Sequence, residues 1–162
     1  MERSKNLRDE AALDDVDRLI VEELQRDGRM TNAELADRVG IAASTCVARV
    51  RGLVARGIIT GFTATVDPAV MGRTLQVLVS VTIRSGARQR ISEFSDELRA
   101  LPEVLQLFFL GGVEDFIIHL AARDSDHVRD FVMEHLSAHP AVSSTRTSIV
   151  FSHHQNPVRL PE

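Results

Sequence analysis

The hydrophobic spacing of this chain first follows a period of about 3.6 and then, from Thr74, a period of 2. No other feature constrains the fold as strongly. Val16, Leu19, Ile20 and Leu24 form one helical stripe behind Asp14. The Asp14 carboxylate is placed to accept from first-turn N–H groups, and Asp15 and Asp17 suit the positive end of the helix dipole. Gly28 is predicted to end this helix in the left-handed conformation. Thr31 and Glu34, in the run T-N-A-E, predict a capping box for a second helix with Leu35 and Val39 on its apolar side. Gly40 ends that helix and Ile41 turns inward. A third helix is predicted over 43–56, with Cys46, Val50 and Leu53 as its buried stripe and Gly57 closing it. Ile58, Ile59, Phe62, Ala64 and Val66 read as an extended segment stopped by Asp67–Pro68.

Beyond a boundary between Asp67 and Arg73, Leu75, Val77, Val79, Val81 and Ile83 alternate with mostly polar residues, as in a strand with one apolar face. A helix follows, carrying Ile91, Phe94, Leu98 and Leu101 and stopped by Pro102. Strands are predicted over 104–110 and 116–122, broken by Gly111–Gly112. A further helix is capped by Asp124 or Ser125 and ends near His139–Pro140, and a last strand covers 142–151. Strand, helix, strand, strand, helix, strand is the split βαβ, ferredoxin-like order. The predicted class is α+β: a winged-type helix–turn–helix followed by a ferredoxin-like βαββαβ domain.

Composition narrows the function. At 162 residues the chain holds one large domain or two small ones. Its 44% apolar and 26% charged content excludes a disordered chain. Aromatics are 4%, without Trp or Tyr, so stacking of bases on aromatic platforms is not the binding device. A single cysteine, Cys46, excludes a disulfide framework and thiolate metal clusters, and reads as a small core residue. No apolar run reaches the ~20 residues of a membrane span. The polar residues Met1 to Glu10 lack a secretory signal, so a cytoplasmic, nucleoid-associated location is expected. The net charge of −4 means that any nucleic-acid contact must come from a local patch.

One such patch is legible. Between Arg38 and Arg56 stand four arginines (Arg38, Arg49, Arg51 and Arg56) and no acid. The turn Gly40–Ile41–Ala42 joins two short helices in the manner of a helix–turn–helix, whose second helix enters a major groove. The outward positions of that helix are predicted to be Ser44, Thr45, Val47, Ala48, Arg49, Arg51 and Gly52. Hydroxyls suit phosphates or base edges, and an arginine suits guanine or a phosphate. The candidate DNA-contact set is Arg38, Ser44, Thr45, Val47, Ala48, Arg49 and Arg51. The competing reading is a three-helix bundle with solvated arginines.

A second constellation is Gly112-Val113-Glu114-Asp115. Glycines let a ligand approach the backbone, an acidic side chain can pair with an α-ammonium group, and free N–H groups can hold a carboxylate. The competing reading is a plain hairpin turn. The six histidines, including His135 and His139 four apart and the adjacent His153–His154, lack supporting ligands at metal-site spacing, so no metal is expected. No phosphate-binding loop, nucleophile elbow or metalloprotease motif is present, which argues against an enzyme.

The run LDDVDRLIVEELQRDGRMTNAELADRVGIAASTCVARVRGLVARGIITGFTATVDP resembles the N-terminal half of the Lrp/AsnC (feast/famine) transcriptional regulators. The GGVEDF turn and the RTSIVF strand resemble their regulatory domain, and the resemblance spans 13–151. It implies a DNA-binding transcription factor, dimeric through its C-terminal sheets and often assembled further, for example into octamers. It also implies an amino-acid effector and no other cofactor. Carried over residue by residue, Gly112 and Asp115 belong to the effector pocket, joined by Phe108, Asp124, Ser125, Ser148, Ile149 and Val150. The chain departs from the family at Ala42, where a capping Ser is usual, and at Val47, Ala48 and Gly52, where the family is more basic. Val47 and Ala48 instead suit contact with thymine methyl groups.

The expected organisation is an N-terminal arm over 1–12, a DNA-binding domain over 13–61, a linker strand or hinge over 62–73, a dimerisation and effector domain over 74–152 and a tail over 153–162. The apolar face of the strand 74–84 is expected to be buried by a second copy packing sheet to sheet. An architectural protein that bends DNA without an effector, and a regulatory subunit that binds protein instead of DNA, are the alternatives.

Overall fold

The computed structural model describes residues 13–158; the expected arm over 1–12 and residues 159–162 lie outside the described residues. The described chain divides into two compact units, one of residues 13–65 with 155–158 and the other of residues 66–154.

In the first unit, α1 (Asp15–Arg26), α2 (Asn32–Val39) and α3 (Ala43–Ala55) pack around Ile20, Leu35, Cys46 and Leu53, all essentially sealed from solvent. Asp14 caps α1, its Oδ1 accepting from the Asp17 N–H at 2.7 Å. Thr31 and Glu34 form the reciprocal capping box of α2. Gly40 at φ 72° and Gly57 at φ 71° take the left-handed region that side chains disfavour. Gly28 does not, contrary to the sequence expectation. Helix α1 ends one residue earlier, at Asp27, whose Oδ1 accepts from the Arg29 N–H at 2.9 Å and turns the chain without a left-handed residue.

The extended segment after α3 also differs from expectation. Among the described residues no strand forms between α3 and position 75, so there is no β-wing. Phe62 and Val66 are exposed, and a lone alternating segment has no second strand to satisfy its backbone.

The second unit is a four-stranded antiparallel sheet of β1 (Leu75–Ile83), β2 (Val104–Phe109), β3 (Phe116–Ala122) and β4 (Val142–Ile149) in the order β2-β3-β1-β4. Helix α4 (Ile91–Arg99) follows β1. Helix α5 (Ser125–Phe131), capped by Asp124, follows β3 and continues as a π-helical turn over Val132–Ser137. Both helices lie on one face of the sheet. Phe94, Leu98, Val128, Phe131 and Leu136 close over Val77, Val79, Val81 and Ile83 of β1 and over Phe116, Ile118 and Leu120 of β3. Phe94 and Phe116 meet edge to face at 5.7 Å.

This arrangement corrects the expectation that a second copy buries the apolar face of β1. The chain's own helices bury Val77, Val79, Val81 and Ile83 and leave Leu75 half-buried. The face left without helices carries Gln76, Leu78, Ser80 and Thr82, in register with His119 and Ile117 of β3 and with Ser148, Arg146 and Ser144 of β4. Gln106 and Phe108 of β2 extend it.

Candidate functional site

Helix α3 is held from beneath and open above. Cys46 and Leu53 anchor it in the core, and burial pushes the Cys46 thiol above its ordinary pKa, away from reactive thiolate. Ala42 occupies the cap position with no side-chain hydrogen bond, as the departure from the family implied. Ser44, Thr45, Ala48 and Arg51 are exposed together, and Val47 is half-buried beside them.

The arginines do not all share that face. Arg38 donates to Glu23 Oε2 at 2.8 Å. Arg49 donates to Asp14 Oδ2 at 2.6 Å and to Asp17 Oδ1 at 2.9 Å, and Arg56 donates to Asp17 Oδ2 at 3.2 Å. Three of the four arginines in the acid-free stretch 38–56 are therefore paired in space with acids of α1 and its cap. Arg49, expected to point outward, turns back onto α1 because a capping and a buried carboxylate stand within reach. The Asp17 N–H, followed by Arg49, holds the Asp14 carboxyl below its usual range, and Arg38 does the same for Glu23. Of the four arginines, Arg51 alone has no acid partner among the described residues.

In the second unit, Asp115 is buried at the end of the β2–β3 hairpin. Its Oδ2 accepts from the Ile83 N–H at 2.7 Å, and its own N–H donates to Val81 O at 2.9 Å. The β1–β3 ladder ends at the pair Val81–Phe116, and the Asp115 side chain accepts from the next β1 donor on that edge, which β3 no longer pairs. Arg88 stands 3.8 Å from the other carboxylate oxygen. Asp115 therefore fixes the hairpin to β1, whereas the sequence alone suggested that it pairs with a ligand.

The hairpin brings its neighbour Glu114 over the helix-free face, where it ion-pairs with Arg146. Ser80, Thr82, Val113, Glu114, Ser144, Thr145 and Arg146 line a cavity of about 290 Å³. Gly112 lies in this hairpin, exposed, and a Cβ there would meet nothing within 4 Å. The remaining expected effector residues are spread out. Phe108 is on the same sheet face, in register with Ile117. Ser148 and Ile149 pair with Leu78 and Val77, and the Val150 N–H donates to Gln76 O, nearer the other end of β1. Asp124 and Ser125 begin α5 at the far end of β3, and the Asp124 carboxylate accepts from the His127 N–H at 2.8 Å. Arg146 gave no signal in the sequence because nothing local marks a strand residue as the partner of a hairpin acid 32 positions away.

Two family models match the chain: the AsnC-type helix-turn-helix domain over residues 13–54 and the Lrp/AsnC ligand binding domain over residues 76–158. The chain belongs to the Lrp/AsnC family. Among Lrp/AsnC relatives it is 47% identical over 150 residues to the HTH-type transcriptional regulator AldR of Mycobacterium tuberculosis, covering 93% of this chain and 83% of the relative. It is 34% identical over 148 residues to the leucine-responsive regulatory protein of Escherichia coli K12, covering 91% and 90%. The crystal structure of MtbAldR superposes with a TM-score of 0.78 at 43% identity, covering 91% of this chain and 97% of that one. The transcriptional regulator NMB0573 of Neisseria meningitidis, solved as its L-Met complex, superposes with a TM-score of 0.82 at 32% identity, covering 93% and 97%. As an Lrp/AsnC protein the chain is a transcriptional regulator with a DNA-binding and a ligand-binding domain, and not an enzyme. Among the described residues no helix is long and apolar enough to cross a membrane.

Proposed function

We propose that the protein binds specific DNA sequences through the exposed face of α3 as a symmetric dimer and responds to an amino acid held on the helix-free sheet face. The observation that carries the amino-acid reading is the Glu114–Arg146 pair at the edge of the hydroxyl-lined cavity. An amino acid offers an α-ammonium group to the carboxylate and an α-carboxylate to the guanidinium, which recognises that shape bidentately. Ser80, Thr82 and Ser144 supply further donors and acceptors. The L-Met bound to the Neisseria relative supports the same ligand class.

Leu78, Ile117 and Phe108 form an apolar patch on the helix-free face, which supports pairing with a second copy. Ser44, Thr45, Val47, Ala48 and Arg51 form the surface offered to DNA, and two copies present it twice to a roughly palindromic site. Arg38 and Arg49 join it only by exchanging their α1 acids for phosphates. An effector acts by binding one assembly better than another, since equal affinity shifts nothing.

A thermal-shift screen against the twenty amino acids tests the effector reading: a ligand of the native state raises the midpoint, and no shift with any of them refutes it. Gel-shift titrations against promoter and random DNA test the rest. Equal affinity for both sequences marks an architectural protein instead, and no binding marks a protein-contacting subunit.

A further inference from the structure

The chain's C-terminal segment returns to the helix–turn–helix unit. Residues 155–158 belong to that unit, although residues 66–154 before them belong to the other. The holding contact is a two-way amide clip. Gln25 of α1 donates from Nε2 to Val158 O at 3.1 Å, and Val158 N–H donates to Gln25 Oε1 at 2.7 Å. One side chain thus reproduces both hydrogen bonds of a strand pair with a segment 133 positions away.

The clip sits on a groove between α1 and the segment after α3. Val21, Leu24, Ile58, Ile59 and Phe62 line a cavity of about 260 Å³ there, with Val158 at its edge. A second cavity beside it, of about 630 Å³, is lined by Leu24, Gly61 and Phe62 and bordered by Gln155. The residues that contact the tail are separate from the exposed face of α3, so docking of the tail and docking of DNA do not compete for side chains.

We propose that this groove is a docking site for the chain's own residues 155–158, and that the docked segment is a latch giving the DNA-binding unit a second tether. The chain passes between the units at 65–66 and again at 154–155. With the latch closed, the helix–turn–helix is restrained through both crossings; with it open, through the first alone. The tail follows β4, whose Ser144, Thr145 and Arg146 line the cavity beside Glu114, so one continuous stretch joins that cavity to α1. Main-chain atoms of Val158 make the polar contacts while its side chain stays largely exposed, so the hold is reversible.

Backbone ¹⁵N relaxation on the full chain, with no DNA or effector, tests the latch. In the wild type the Val158 amide should show an order parameter near the ~0.85 of a rigid backbone, and in Gln25→Ala it should fall below about 0.6. The amides of α1 to α3 should also tumble faster in Gln25→Ala than in the wild type, while those of β1 to β4 should not. Gln25 is exposed and alanine suits a helix, so the variant folds. A Val158 amide already below about 0.6 in the wild type, or unchanged tumbling of the helix–turn–helix in Gln25→Ala, overturns the proposal. Neither readout uses the amino-acid site, so failure of the latch and failure of the effector reading are distinguishable.

Discussion

Asp17 Oδ1 accepts from Arg49 Nη1 at 2.9 Å and so ties the first helix of the DNA-binding unit to the third. Its other oxygen accepts from Arg56, so one buried carboxylate fixes both α3 and the residue that caps its C-terminus. Asp17→Asn should destabilise this unit by about 1–2 kcal/mol, below the ~3–5 kcal/mol of a fully buried pair because both guanidinium groups are partly solvated. Urea unfolding followed by helical circular dichroism measures it.

Ala42 already has the extended backbone of a helix cap, at φ −66° and ψ 143°, but lacks a side-chain acceptor. Ala42→Ser should raise the stability of the same unit by about 0.5–2 kcal/mol. An unchanged midpoint in thermal unfolding would show that the first-turn N–H groups of α3 are already satisfied.

Asp115 holds the Ile83 N–H in a buried position. Asp115→Ala should cost the ligand-binding unit about 1–3 kcal/mol by leaving that donor unpaired, and Asp115→Asn, which keeps an acceptor oxygen, should cost much less. The ordering of the two variants in denaturant unfolding separates a structural hydrogen bond from a requirement for charge.

Burial lowers the pKa of His119 from its ordinary 6.5, with the nearby His153 adding to the effect. The folded state therefore favours the neutral ring, hydrogen-bonded to Gln76 at 3.0 Å. Above 6.5 both folded and unfolded states are neutral and the stability is complete; as the pH falls below 6.5 the unfolded chain takes up the proton first and stability is lost. His119→Gln should flatten this loss in unfolding measured between pH 7 and pH 5.

Much of this molecule was legible because its signals are local. The capping box of Thr31 and Glu34, the Asp14 cap and the alternation of β1 each depend on residues a few positions apart. What was not legible depends on tertiary partners. The stretch 38–56 looked basic because the acids that pair with three of its arginines, Asp14, Asp17 and Glu23, lie on another helix and its cap. Asp115 read as a ligand group because its acceptor role depends on β1 running past the end of β3, so that the Ile83 N–H has no strand partner there. The alternation from Phe62 to Val66 has the strand period but no strand beside it. Glu114 stood in the GGVEDF turn, yet its partner Arg146 was hidden in an unremarkable strand.

Helix α3 is proposed to meet DNA through the face bearing Arg51, the cation that no acid of α1 engages. Fluorescence anisotropy of wild type and Arg51→Ala on one duplex, titrated with salt, examines that face without disturbing the core. Arg51→Ala should bind more weakly, by about 1–3 kcal/mol, with a salt slope reduced by about one. Identical affinity together with an identical slope would place the DNA contact elsewhere.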